Sequence, residues 1–270
     1  MKKVKMALIY DFDKTLSPKD MQEFHILKRF GYDDPSKFWE KCSKISNEHN
    51  MDGILSYMLL MAKEDPDMTR DSLIEEGSYV KLYKGVDTWF KRINKYGKNK
   101  GIEVEHYIIS SGLKEMIEGS SIAQYFKKIY ACSYAYDSEG KILWPARVVN
   151  YTTKTQYLFR INKNVLDEKN DTDLNRSTPD SEKYIPFNNM VYFGDGLTDV
   201  PSMKVVRDNG GYTIAVYNTN ENKQALALEL KKDKRANFAL EADYSKGSDI
   251  EKAVKAIIDM AASMHRMEQL

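Results

Sequence analysis

Three short apolar runs in this chain stop abruptly at clusters of acids, hydroxyls and glycines, and this pattern restricts the fold more than any other feature. Residues 4–10 (VKMALIY) end at Asp11-Phe12-Asp13, and residues 104–109 end at Ser110-Ser111-Gly112. Residues 190–193 end at Gly194-Asp195-Gly196, with Asp199 three residues further on. Brief, nearly continuous apolar runs suit strands covered on both faces of a parallel sheet. Two more candidate strands lie at 129–132 and 212–216. Between the strands come helix-like stretches at 85–96, 113–126, 153–162, 198–206 and 220–231, with a last helix from 248 to about 264. Strands alternating with helices predict an α/β fold with a doubly wound, mainly parallel, Rossmann-like sheet. In such a sheet ligands bind beyond the carboxyl ends of the strands, so all three clusters should meet at one edge.

Two segments break the alternation. Residues 17–80 carry helix-period apolar positions and no clear strand. Met21, Phe24, Leu27 and Phe30 form one series, and Ile54, Tyr57, Met58 and Met61 a second face. This predicts an inserted helical domain at 17–80 within a core of 1–16 and 81–270. Residues 166–188 are polar, with almost nothing to bury, and read as an exposed loop or flap. A hairpin is expected over 134–149, turning at Asp137–Gly140.

Composition narrows the class. With 42% hydrophobic and 30% charged residues the chain is globular rather than disordered. Forty-one Lys and Arg against 40 Asp and Glu leave no long-range field for nucleic acid or an anionic membrane. Cys42 and Cys132 have no paired spacing, so neither a disulfide framework nor a zinc cluster is expected, and Cys132 reads as a buried thiol. The apolar stretch at 6–10 is too short for a signal peptide, and no window approaches a membrane span. The expectation is a soluble cytoplasmic protein whose partner is a small molecule.

The acidic edge points to chemistry. Asp11, Asp13, Asp195 and Asp199 would repel one another unless a cation sat among them, and oxygen donors without His or Cys favour Mg²⁺. Asp11 and Asp13, two apart on an extended chain, project to the same side, so one can attack while the other handles protons. Ser110 and the amides that follow offer neutral donors to an anion. Lys154, at the start of a helix-like run, reads as a mobile positive charge able to reach the same edge.

This set resembles the four-motif signature of the haloacid-dehalogenase-like superfamily. DFDKTL matches its DxDxT motif, HYIISSG its strand ending in Ser or Thr, TTKTQYLF its lysine at a helix start, and VYFGDGLTD its GDGxxD motif. The YKGVDTWFKRI stretch resembles the superfamily's return into the core. Together these cover roughly three quarters of the chain, in the superfamily's order. The GDG motif and the hairpin before the lysine look most like the phosphoserine-phosphatase-like branch. Lys14, often Gly there, and the 166–188 insert depart from the pattern.

The resemblance implies a Mg²⁺-dependent phosphatase acting on a small phosphorylated metabolite, with residues 17–80 as a helical cap. Asp11 would be the nucleophile, forming an aspartyl-phosphate, and Asp13 the general acid and then base. Side chains of Asp11 and Asp195 and the Asp13 carbonyl would bind Mg²⁺. Asp199 would hold a metal water or Lys154, while Ser110, Ser111, Gly112 and Lys154 would bind phosphate. Thr15 reads as a loop brace. The Asp-Lys-Thr of ion-pumping ATPases would make Asp13 the nucleophile, but Leu16-Ser17 follows here and no acid lies two residues on. An acid at position 13 argues against a dehalogenase. A phosphomutase or phosphotransferase on the same fold is the alternative, followed by a non-catalytic binding module. Glu23 and His25 are candidate substrate contacts, Trp39 reads as cap core, and residues 231–235 as a solvated helix end.

Overall fold

Strand β1 (Val4–Tyr10) lies at the centre of a seven-stranded sheet in the order β4-β3-β2-β1-β5-β6-β7. The computed structural model describes residues 4–219 and 223–269. Met6 to Tyr10 have no solvent exposure, and because successive strand side chains point to opposite faces, both faces of β1 are covered. Parallel neighbours flank it, β2 (Ile102–Leu113) with Tyr10 opposite Ile108 and β5 (Met190–Gly194) with Tyr10 opposite Phe193. Strand β3 (Phe126–Tyr136) pairs parallel to β2, and β4 (Ile142–Arg147) returns antiparallel as the expected hairpin. On the other side β6 (Tyr212–Tyr217) and β7 (Phe238–Glu241) continue the parallel order.

Helices follow the alternation. Residues 17–80 hold a 3-10 turn (Met21–Glu23), α1 (Ile26–Arg29), α2 (Pro35–His49), α3 (Gly53–Glu64) and α4 (Arg70–Gly77), with no strand. The core adds α5 (Val86–Asn99), α6 (Lys114–Gly119), α7 (Lys154–Lys163), α8 (Asp171–Asn175), α9 (Val200–Asp208), α10 (Gln224–Lys232) and α11 (Asp249–Met267). No helix among the described residues is long and apolar enough to cross a membrane.

Several expectations are corrected. The helix foreseen at 113–126 is only α6, because β2 runs on through Leu113 and Gly119-Ser120 ends the helix, with a 3-10 turn at Ala123–Tyr125. The three-residue series from Met21 to Phe30 is no continuous helix. His25, at φ −142°, separates the 3-10 turn from the single turn of α1. Strand β7 had no signal, being four residues without alternation. The first three residues of the helix foreseen at 220–231 lie outside the described residues. The polar 166–188 segment is mostly exposed but is tied down. Arg160, buried beneath it, donates to the Asp167, Glu168 and Asn170 carbonyls and to the Asp171 carboxylate, and Ile185 is fully buried.

Residues 17–80 are joined to the core at close range. A Cβ on Gly77 would fall 2.0 Å from the Met116 carbonyl oxygen, and one on Gly119 would fall 1.8 Å from that of Ile74. The two glycines let α4 and α6 touch backbone to backbone.

Candidate active site

The three clusters do meet. Asp11, Asp13, Ser110, Ser111, Gly112 and Asp195 line one cleft of about 480 Å³ at the carboxyl edge of the sheet. The position follows from the strands: Asp11 leaves β1 with its amide bonded to the Phe193 carbonyl at 2.9 Å, which holds the first loop beside the last. Lys14 makes the turn in the left-handed region, at φ 56°. Thr15 is buried, and its carbonyl accepts the Tyr244 hydroxyl at 2.8 Å.

Lys154 and Asp199 lie behind this lining, both without solvent exposure. The Lys154 ammonium sits 3.0 Å from Asp11 Oδ2 and 2.8 Å from Asp199 Oδ1. It is therefore clamped between two carboxylates, not the mobile charge the sequence suggests. Burial alone would lower its pKa, but Asp11 and Asp199 outweigh burial and keep it charged. Asp199 is itself fixed on both oxygens: Oδ1 also accepts the Tyr192 hydroxyl at 2.8 Å, and Oδ2 faces the Asp195 and Gly196 amides at 3.2 and 3.4 Å. Gly194 makes this possible, since a Cβ there would lie 2.4 Å from the Asp199 carboxyl.

Asp11 and Asp13 occupy different environments. Burial, with Asp199 and Asp195, pushes the Asp11 pKa up to about 7, although Lys154 in direct contact pulls it down. Asp13 has no such cation. Its Oδ1 accepts the Met21 amide at 2.8 Å, and burial, then Asp20 and Asp11, push its pKa well up. A cation in contact with Asp11 and none so close to Asp13 among the described residues suits the pair to complementary work, with Asp13 the carboxyl that holds a proton. Gly112 leaves room for Asp13, because a Cβ there would come within 2.8 Å of Oδ2 and 2.2 Å of Met21 Cε. Its amide donates to Ser110 Oγ at 3.1 Å, leaving that hydroxyl proton to point elsewhere.

Oxygens of Asp11, Asp195 and Asp199 lie within 4.8 Å of one another, with no His or Cys in the group. Such a donor set fits a hard divalent cation. Asp11 and Asp195 line the cleft whereas Asp199 is fully buried behind it, so Asp11 and Asp195 are the side chains placed to hold the ion. The Asp13 carboxylate stands outside this trio.

No family model matches the chain. An uncharacterized protein of Borreliella burgdorferi is 29% identical over 276 residues, spanning 91% of this chain and 93% of its own. A substrate-bound phosphoserine phosphatase structure superposes with a TM-score of 0.59 at 16% identity, over 94% of this chain and 99% of that one. A probable phosphoserine phosphatase from Vibrio cholerae gives 0.61 at 13% identity, over 97% and 67%. The fold is haloacid-dehalogenase-like. A HAD family hydrolase from Salmonella enterica serovar Typhi shares it with a TM-score of 0.54 at 16% identity over 78% of this chain, which spans 62% of that protein's length.

Around this cleft the structure places further charged and aromatic residues. Lys223 reaches Asp195 Oδ2 at 3.0 Å, and Lys14 reaches Asp20 Oδ2 at 2.5 Å. Trp39 of α2 and Tyr57 of α3 line the cleft, so Trp39 is more than cap core. Gln22 lines it too. His25 is drawn away: it pairs with Glu76 at 2.8 Å and stacks on Tyr79 with centroids 4.0 Å apart. Glu23 accepts the Trp39 indole N–H at 2.9 Å. That Gln22, Trp39 and Tyr57 face the cleft depends on how residues 17–80 fold over the sheet edge, which no motif records.

Proposed function

We propose that this chain is a Mg²⁺-dependent phosphatase that hydrolyses a small phosphomonoester through an aspartyl-phosphate on Asp11, with residues 17–80 as its cap. The observation that carries the reading is the fixed Lys154 clamp between Asp11 and Asp199 beside a second, protonation-prone carboxyl at Asp13. It supplies a charged nucleophile and a proton donor facing one cleft.

An Asp11 carboxylate oxygen attacks phosphorus and the bond to the leaving oxygen breaks, while Asp13 gives that oxygen its proton. Asp13, now a carboxylate, takes a proton from water as the water attacks the same phosphorus. The acyl phosphate bond breaks, returning Asp11 as carboxylate and releasing inorganic phosphate. Lys154 holds Asp11 in place, and Ser110 with the amides around Gly112 donates to the phosphoryl oxygens. Mg²⁺ held by Asp11 and Asp195, with the Asp13 carbonyl, would screen the repulsion between nucleophile and phosphate dianion.

The test is hydrolysis of p-nitrophenyl phosphate with Mg²⁺ and after chelation, together with mass analysis of quenched enzyme for a phosphoryl group on Asp11. Asp11→Asn should lower turnover about a thousandfold or more. Asp13→Asn should lose far more on alkyl phosphates than on p-nitrophenyl phosphate, whose leaving group needs no proton. Wild-type turnover by Asp11→Asn would refute the proposal. Phosphate released in step with product separates a hydrolase from a phosphotransferase.

A further inference from the structure

The cleft's charge and its one unpartnered buried acceptor describe the alcohol that leaves. Its lining carries four carboxylates, Asp11, Asp13, Asp20 and Asp195, against two lysines, Lys14 and Lys223. Both lysines are engaged, Lys14 by Asp20 and Lys223 by Asp195. No other Lys or Arg lines the cleft among the described residues, and residues 220–222 are Asn, Glu and Asn. An anionic leaving group therefore meets, among the described residues, only lysines that already serve Asp20 and Asp195.

The helical side is built for the opposite charge. Trp39 and Tyr57 meet at 74°, centroids 6.1 Å apart, forming two walls of a corner. Their polar atoms are turned to protein: the Trp39 indole N–H donates to Glu23, and the Tyr57 hydroxyl donates to the Ser111 carbonyl at 2.8 Å. What remains for the cleft is ring surface, which attracts cations. Gln22 is only 2% exposed, lines the cleft, and its Oε1 has no hydrogen-bond partner among the described residues. A buried acceptor left unmade is costly, and a donor on the ligand would satisfy it. Asp20 and Glu23 lie side by side close to Lys14, so one ammonium faces two acids.

Resting on the phosphatase reading, we infer that the substrate is the phosphomonoester of a small amino alcohol, whose leaving group carries an N–H ammonium and no carboxylate. The ammonium donates to Gln22 Oε1, lies against the Trp39–Tyr57 corner and is drawn by Asp20. Phosphoserine, the substrate class in the name of the structural neighbours, carries the same ammonium with an added carboxylate that this cleft leaves unpaired.

Three esters isolate the two groups. Phosphoethanolamine carries the ammonium, n-propyl phosphate replaces it with methyl, and O-phosphoserine adds the carboxylate. Wild-type kcat/KM should favour phosphoethanolamine about tenfold or more over each of the others. Gln22→Met and Trp39→Leu should each pull the phosphoethanolamine to n-propyl phosphate ratio toward one, with thermal unfolding confirming that both variants fold. Parity between those two esters in the wild type, or preference for O-phosphoserine, overturns the inference. So does hydrolysis of p-nitrophenyl phosphate alone, which leaves the phosphatase reading standing. No hydrolysis of any ester overturns both.

Discussion

Replacing Lys154 by Met tests the clamp on which the site is built. The ammonium has no solvent exposure and lies 3.0 and 2.8 Å from two carboxylate oxygens. At an effective dielectric of about 20 each contact contributes about 5–6 kcal/mol of attraction. Desolvation of the buried ions offsets much of this, and truncating one member of a buried ionic group destabilises by about 3–5 kcal/mol. Met preserves the stem's packing and removes only the charge. Asp11, which burial already raises to about 7, then loses the cation that pulls it down, and its pKa rises further above the unfolded value. A raised carboxyl binds an extra proton in the folded state, so stability falls as pH rises. The deficit of Lys154→Met relative to wild type is therefore largest near pH 8 and shrinks toward about pH 5. Urea denaturation of both proteins in chelator, followed across that range, measures it. With Mg²⁺ and p-nitrophenyl phosphate, kcat should fall about 10²–10³-fold. Equal urea midpoints at every pH with kcat within twofold would refute the clamp.

Two further substitutions probe the same architecture. Gly194→Ala places a Cβ 2.4 Å from an Asp199 carboxyl pinned by four donors, so it should destabilise by about 1–3 kcal/mol and abolish most activity, whereas nothing lies within 4 Å of a Cβ at Gly196 and Gly196→Ala should fold with wild-type stability by thermal melting. His106 is buried neutral, accepting the Tyr10 hydroxyl at 3.1 Å and donating to Asn94 at 2.8 Å, and burial pushes its pKa down to about 3. The unfolded chain takes up that proton first, so stability is lost as pH falls from about 6.5 toward 3, by up to about 1.4 kcal/mol per pH unit; urea midpoints of His106→Gln should show a flatter slope between pH 4 and 6.5.

The sheet centre and the acidic edge were legible because each depends on local pattern. Residues 4–10 had to be a strand covered on both faces, and its terminal acids had to meet those after residue 193 once the sheet was parallel. What was not legible depends on charge satisfied at a distance. Strand β2 begins at Ile102, two residues before the run read at 104–109, because Glu103 hides its start. Glu105 is tolerated because Lys127, Lys5, Tyr107 and Tyr184 bond it, holding it at about 2 although burial alone would raise it. Lys223 and Gln22 gave no signal, since a single Lys or Gln on a polar stretch has no pattern that says which cleft it will face.

The same distinction governs how residues 17–80 can move. Helix α4 cannot leave α6 without separating two backbones in direct contact through Gly77 and Gly119, and the chain just before it is tied to the hairpin, where the Ile142 amide donates to the Met68 carbonyl at 3.0 Å. Helix α3 buries Tyr57, Met58, Leu60 and Met61 and adds polar contacts to the core. Tyr57 donates to the Ser111 carbonyl, Tyr134 to the Met58 carbonyl at 2.7 Å, and Asn150 to the Asp52 carboxylate at 3.0 Å. Each such bond contributes about 1 kcal/mol net. If residues 17–80 act as the proposed cap, the backbone contact at Gly77 and Gly119 keeps α4 with the core, and movement would fall to the helices before Met68. On that reading Tyr57 would couple filling of the cleft to its closure, because its hydroxyl joins α3 to the loop proposed to hold phosphate.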